Sequence, residues 1–90
     1  MIPPSTELQR ARGLVSRLAY LTQQCSLRVV DGKPVGFDVV REGDGIAWAL
    51  DVLLQEHLIP PEYVSTTQSV IDRWRNCRSA IYVRPKETTT

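Results

Sequence analysis

Apolar positions recur along the first part of the chain at alternating intervals of three and four: Leu8, Ala11, Val15, Leu18, Thr22 and Cys25, with Leu14, Ala19 and Leu21 widening the stripe. That is the period of a helix. The opposite side carries Gln9, Arg10, Gly13, Ser16, Arg17, Tyr20, Gln23 and Gln24, so a surface helix with one buried face is predicted. Pro3 and Pro4 hold the start extended, and Thr6 with Gln9 three positions later fits a capping box that opens this helix near Glu7.

From Ser26 to Val40 the period changes to alternation, with Leu27 and Val29 before Asp31-Gly32 and Val35, Phe37 and Val39 after it. Apolar and β-branched residues around Asp-Gly predict a β-hairpin. A three-residue loop, Val30-Asp31-Gly32 with Gly32 left-handed, pairs Leu27 with Val35 and keeps both apolar rows on one face. A two-residue loop would set the rows on opposite faces, so the longer loop with its bulge is favoured.

Arg41 to Gly45 reads as a turn with Asp44 as N-cap of a central helix over Asp44 to Leu58, DGIAWALDVLLQEHL. Ile46, Leu50, Leu53 and Leu54 share one face with His57, while Trp48, Val52 and Leu58 carry apolar surface round the flanks. Only Asp51 and Gln55 form a clear polar stripe. A helix so apolar needs cover on several sides, and Trp48 is expected to lie partly beneath the first helix or the hairpin. Pro60 and Pro61 stop it, and Tyr63-Val64 reads as a short turn. Ser65 to Gln68 forms a second capping box, opening a helix over about Thr66 to Ser79 whose narrow apolar arc is Val70, Ile71, Trp74 and Cys77. Ala80 to Arg84 alternates again and predicts a third strand, ended by Pro85.

The order α-β-β-α-α-β predicts an α+β fold: one small domain over residues 1–85, a three-stranded antiparallel sheet packed by helices, the central helix most enclosed, and a mobile tail at 86–90. Ninety residues, 42% of them hydrophobic, suffice for one core without obligatory metal or disulfide staples. No stretch is long and apolar enough to span a bilayer. The N-terminus turns from prolines to charge rather than to an apolar leader core. Cys25 and Cys77 are far apart in sequence and form no CxxC pair, so a reducing, cytoplasmic setting is the expectation.

Net charge is +1 but uneven. Pro34 to Val64 holds six acids against the single base Arg41, and both ends of the chain are basic. Complementary charge between segments of one fold accounts for this. A basic face built from the two ends would instead attract an acidic partner or a phosphate backbone.

The residues that carry chemistry are few. His57 is the only histidine, with no nucleophile or orienting carboxylate assignable beside it, so capping helix-end carbonyls or sitting at the core margin is the reading preferred over catalysis. Two separated thiols and one histidine fall short of a zinc set. The loop-like Glu42-Gly43-Asp44-Gly45 lacks the Lys-Ser/Thr of a phosphate cradle, and with Asp38 its acids lack the spacing of a calcium loop. No cofactor or metal is expected, and no enzyme. Val64 to Asn76 has the flavour of a DNA-recognition helix without the regular helix that should precede it.

Two readings remain. The first is a small non-enzymatic protein that binds another macromolecule, most plausibly a protein, as an inhibitor, adaptor or regulator, of the kind found as bacterial or bacteriophage accessory proteins. Its contact site would be Tyr20, Gly13 and Arg17 on the polar side of the first helix, since Tyr and Arg are enriched among residues that dominate interfaces. The alternative is nucleic-acid binding through Arg73, Arg75, Arg78 and Lys86, joined by the N-terminal helix. Composition does not specify the oligomeric state.

Overall fold

A computed structural model describes residues 6–82, apart from the Glu7 side chain. It is a three-helix domain: α1 Thr6–Val30, α2 Phe37–Gln55 and α3 Pro61–Ala80, with each helix packed on the other two. Among the described residues there is no sheet, which overturns the α+β expectation. Asp44 and Asp51 of α2 meet Arg78 and Arg75 of α3, and Arg17 of α1 meets Glu42 of α2 while Arg28 lies beside Gly36 and Val39, so α2 runs against both neighbours.

The expected hairpin is the second half of α1 and the start of α2. Asp31-Gly32 is a helix stop: Lys33 N–H donates to the Arg28 carbonyl at 2.8 Å and Gly32 N–H to that of Val29 at 3.1 Å, with Gly32 at φ 68°. This is a Schellman cap, and it needs the same left-handed glycine that a bulged hairpin loop would use. The local signal therefore fits two structures. Burial decides between them, because Leu18, Leu21 and Cys25 are buried on one helical stripe that continues to the half-buried Val29. That stripe outweighs the modest helix cost of β-branched Val29 and Val30.

The turn expected at Arg41 to Gly45 is helical, and α2 begins seven residues before Asp44, after Gly36 as N-cap, with Asp38 in its first turn. The two glycines had argued for a turn. Gly43 instead serves packing: a Cβ there would lie 2.2 Å from Cη2 and Cζ2 of Trp74. Asp44 caps nothing; its carboxylate accepts Trp74 Nε1–H at 2.9 Å and Arg78 Nε–H at 3.1 Å.

α2 ends in a second Schellman cap, with Leu58 N–H donating to the Leu53 carbonyl at 2.9 Å and His57 N–H to that of Leu54 at 3.2 Å. His57 takes the left-handed position at φ 57°, which glycine fills without a Cβ penalty. His57→Gly is accordingly expected to stabilise the domain by about 0.5–1 kcal/mol, read as a raised urea midpoint at unchanged slope.

α3 opens with Pro61 at its first position rather than at the Ser65 capping box. Proline suits that place because its missing N–H would have no helical acceptor. Tyr63 and Val64, expected in a turn, are therefore helical, and Thr67 is wholly buried with its Oγ1–H bonded to the Tyr63 carbonyl at 2.8 Å. The helix also runs on through Ala80, replacing the start of the expected third strand. Ile81 and Tyr82 follow it, and the Val35 N–H donates to the Tyr82 carbonyl at 2.9 Å. The rest of that strand, Val83 and Arg84, and the expected tail at 86–90 lie outside the described residues.

The core is one cluster in which Leu18 of α1, Leu50 of α2 and Ile71 and Trp74 of α3 are essentially solvent-free. Val35 and Ile59, from the two connections, close its ends.

Candidate protein-binding face on the first helix

Arg17, Tyr20, Gln24 and Arg28 follow one another on α1 at spacings of three and four, so they form a continuous ridge. Facing it, the α1–α2 connection at Pro34, Val35 and Gly36 and the first turn of α2 at Val39 form a second wall, with Leu21 and Cys25 between them. The cleft so enclosed is about 520 Å³. Its far wall is held by burial of Val35 and by the hydrogen bond from Val35 N–H to the Tyr82 carbonyl.

Tyr20 stands at the edge of this cleft, 52% exposed. Its ring lies beneath the Arg17 guanidinium, 5.5 Å from Cζ to the ring centre, within cation–π range. Arg17 is fixed from its other side by a two-pronged ion pair with Glu42, Nε and Nη2 both donating, the latter to Oε1 at 3.0 Å. Its hydrogen bonds to Glu42 raise the guanidinium's affinity for its proton, and the same bonds from Arg17 hold the Glu42 carboxyl below its usual range. The pair is solvent-exposed, and its value is orientation rather than stability. A planar guanidinium gripped by a carboxylate and laid on a ring restricts both side chains before any partner arrives.

Gly13 lies two turns before Tyr20 on the same outward side, and a methyl group there would meet nothing within 4 Å. Of the three residues singled out in the sequence, Arg17 and Tyr20 are in contact, Gly13 lies two turns away outside the cleft, and Gln24 and Arg28 continue the ridge.

The alternative basic set is dispersed. Arg73 lies towards α1, beside Ala19, Thr22 and Gln23, whereas Arg75 and Arg78 lie on the α2 side and are paired with Asp51 at 3.3 Å and Asp44 at 3.1 Å. Lys86 is outside the described residues. Between the two flanks, the solvent side of α3 presents Glu62, Ser65, Ser69, Asp72 and Asn76.

The residues weighed for chemistry do not converge. Cys25 is buried near the α1–α2 connection and His57 is exposed in the α2–α3 connection, at opposite ends of α2, which spans about 28 Å at its 19 residues. Burial pushes the Cys25 thiol up, reinforced by nearby Cys77, so it stays protonated at neutral pH. Both cysteines are free; Cys77 accepts Ser26 Oγ–H at 3.5 Å and points its own S–H at the Thr22 carbonyl at 3.9 Å. Among the described residues no three His, Cys, Asp or Glu side chains are grouped to hold a metal ion. Glu42 and Asp44, weighed as members of a cation-binding cluster, point to different helices and are each occupied by arginine.

Trp48, expected partly beneath the first helix or the hairpin, is 69% exposed: the hairpin does not form, and Trp48 lies on the side of α2 away from its buried Val40, Gly43, Ala47 and Leu50. One signal in the sequence marked this: Trp48 falls between Asp44, Asp51 and Gln55 at spacings of four, three and four, inside the polar stripe of its helix.

No described helix is long and apolar enough to cross a membrane. Compared with protein-family models, with curated proteins and with solved structures, the chain matches none of them.

Proposed function

We propose that this chain is a small non-enzymatic binding module of a reducing, cytoplasmic compartment, which docks a protein partner against the outer side of α1 and acts on it as an inhibitor, adaptor or regulator. The observation that carries this reading is the pre-set Tyr20–Arg17–Glu42 arrangement at the lip of an apolar-floored cleft. Aromatic and arginine side chains dominate interface energetics when they are rigid and can be desolvated, and here the ordering entropy is already spent before binding. The cleft takes an apolar side chain over Leu21 and Val39, while Arg28 and Gln24 offer donors to a carboxylate or a backbone carbonyl of the same segment.

Nucleic-acid binding is the less favoured reading, because Arg75 and Arg78 are paired within the chain and Arg73 faces another flank. Capture from the source-cell extract, with and without nuclease, followed by affinity measurements at two salt concentrations tests the choice. Tyr20→Ala is expected to weaken the captured partner by about 2 kcal/mol or more, with little change in salt slope. Arg73→Ala with Arg75→Ala should be nearly silent. The reverse pattern, with a flattened salt slope in the arginine double variant, would move the site to α3 and the partner to nucleic acid.

A further inference from the structure

We propose that the outer face of α2 is a self-association surface, on which two copies of the chain pack α2 against α2, antiparallel, about a twofold axis beside Gly45. Phe37, Arg41, Gly45, Trp48 and Val52 follow at spacings of four, four, three and four, which places them on one stripe turned away from the buried Val40, Gly43, Ala47 and Leu50. Phe37 and Trp48 are both exposed and Val52 is half-buried. This face is separate from the α1 cleft and does not depend on it.

The glycine points outward. Glycine inside a helix lowers helix stability. At Gly43 the close approach of Trp74 accounts for it, but at Gly45 a methyl group would meet nothing within 4 Å, so nothing among the described residues accounts for that loss. An outward-facing gap between the exposed aromatic rings of Phe37 and Trp48 is what two helix backbones need in order to approach closely.

The stripe also reads the same against itself. When two copies run antiparallel about the point between Asp44 and Gly45, Phe37 meets Val52 and Arg41 meets Trp48, and a twofold axis repeats each contact. The first pair is apolar. The second sets a guanidinium against an indole, the aromatic face that attracts it most. Charge permits the encounter, because the acids flanking Trp48 are neutralised within each copy, Asp44 by Arg78 and Asp51 by Arg75. In that register Asp44 falls opposite the gap at Gly45 of the other copy, and it does so as part of an ion pair rather than as a bare carboxylate.

The size of the face sets the strength. A helix of this length presents a strip of roughly 300 Å², widened by Arg75, Arg78 and Ser79 beside Trp48. Counted over both copies that is roughly 600 Å², well below a standard interface, so the dimer is expected to be weak and reversible.

Sedimentation of the full chain across a concentration series tests this. The parent should pass from monomer to dimer. Trp48→Ala, with helix content checked by circular dichroism, should weaken the dimer by about tenfold or more. Gly45→Leu should do the same while raising the melting temperature at low concentration, since leucine favours the helix and meets nothing inside the chain; this separates lost association from lost folding. Tyr20→Ala should leave the dimer unchanged. A parent that stays monomeric up to roughly 1 mM overturns the proposal. So does a dimer that both Trp48→Ala and Gly45→Leu leave within about threefold of the parent, or one that Tyr20→Ala abolishes.

Discussion

Gly43→Ala is expected to lower the melting temperature by more than about 10 °C, although helix propensity alone predicts the opposite sign. Replacing glycine by alanine in a helix interior favours folding by about 1 kcal/mol. Here the new methyl group would sit 2.2 Å from two ring atoms of Trp74, which is 1% exposed and tethered through Nε1–H to Asp44. A rigid, enclosed indole does not step aside as the end of a flexible side chain would. Its displacement would disturb the core and the Asp44 hydrogen bond together, a net loss of about 3 kcal/mol. At about 4–8 °C per kcal/mol for a domain of this size, that loss gives the shift stated. Trp74→Ala should cost about 3–5 kcal/mol by cavity formation. Because the two residues share one contact, the double variant Gly43→Ala, Trp74→Ala should be no less stable than Trp74→Ala alone. Additive losses in this cycle would show that the methyl group and the ring do not meet.

Leu50→Ala is expected to destabilise by about 2–5 kcal/mol and Leu53→Ala by clearly less, about 1–2 kcal/mol. Both residues lie on the apolar face that the sequence marks out for the central helix, and periodicity ranks them equally. Packing separates them. Leu50 is wholly buried where α2 crosses the core, among a cluster that includes Leu18, Ile71 and Trp74, so truncation leaves a cavity that well-packed neighbours cannot close. Leu53 is only half-buried and packs at the margin of that cluster, where water can fill the space. Urea denaturation of both variants, with equal slopes confirming an intact domain, measures the difference. Equal losses would place Leu53 in the core and shift α2 along its axis.

What the sequence determined by itself was the buried face of the first helix and the apolar arc of the third. The stripe Ala11, Val15, Leu18, Cys25 is buried as its spacing requires, Tyr20 and Gly13 are on the solvent side opposite it, and Val70, Ile71 and Trp74 form the buried arc of the third helix. That regularity is also why Tyr20, Gly13 and Arg17 were legible as a set: in a helix, spacing is position. Tertiary structure decided what local chemistry leaves ambiguous. Asp31-Gly32 supplies one left-handed residue, which ends a helix as readily as it turns a hairpin. The choice rests on whether a neighbouring helix buries Leu21, Cys25 and Val29 on one side.

Glu42-Gly43-Asp44 shows the same limit from the packing side. Two glycines and two acids within four residues look like a turn until Trp74 arrives from α3 to occupy the gap at Gly43, Arg17 arrives from α1 to hold Glu42, and Arg78 arrives to hold Asp44. Those partners are 25 to 34 residues away in the chain, beyond the reach of any local propensity. Of the three, the enclosed Trp74 ring is the contact that favours a helical conformation the segment does not favour alone, while the exposed arginines orient the carboxylates. With that segment helical and no hairpin formed, Trp48 sits on the side of α2 away from the core and faces solvent.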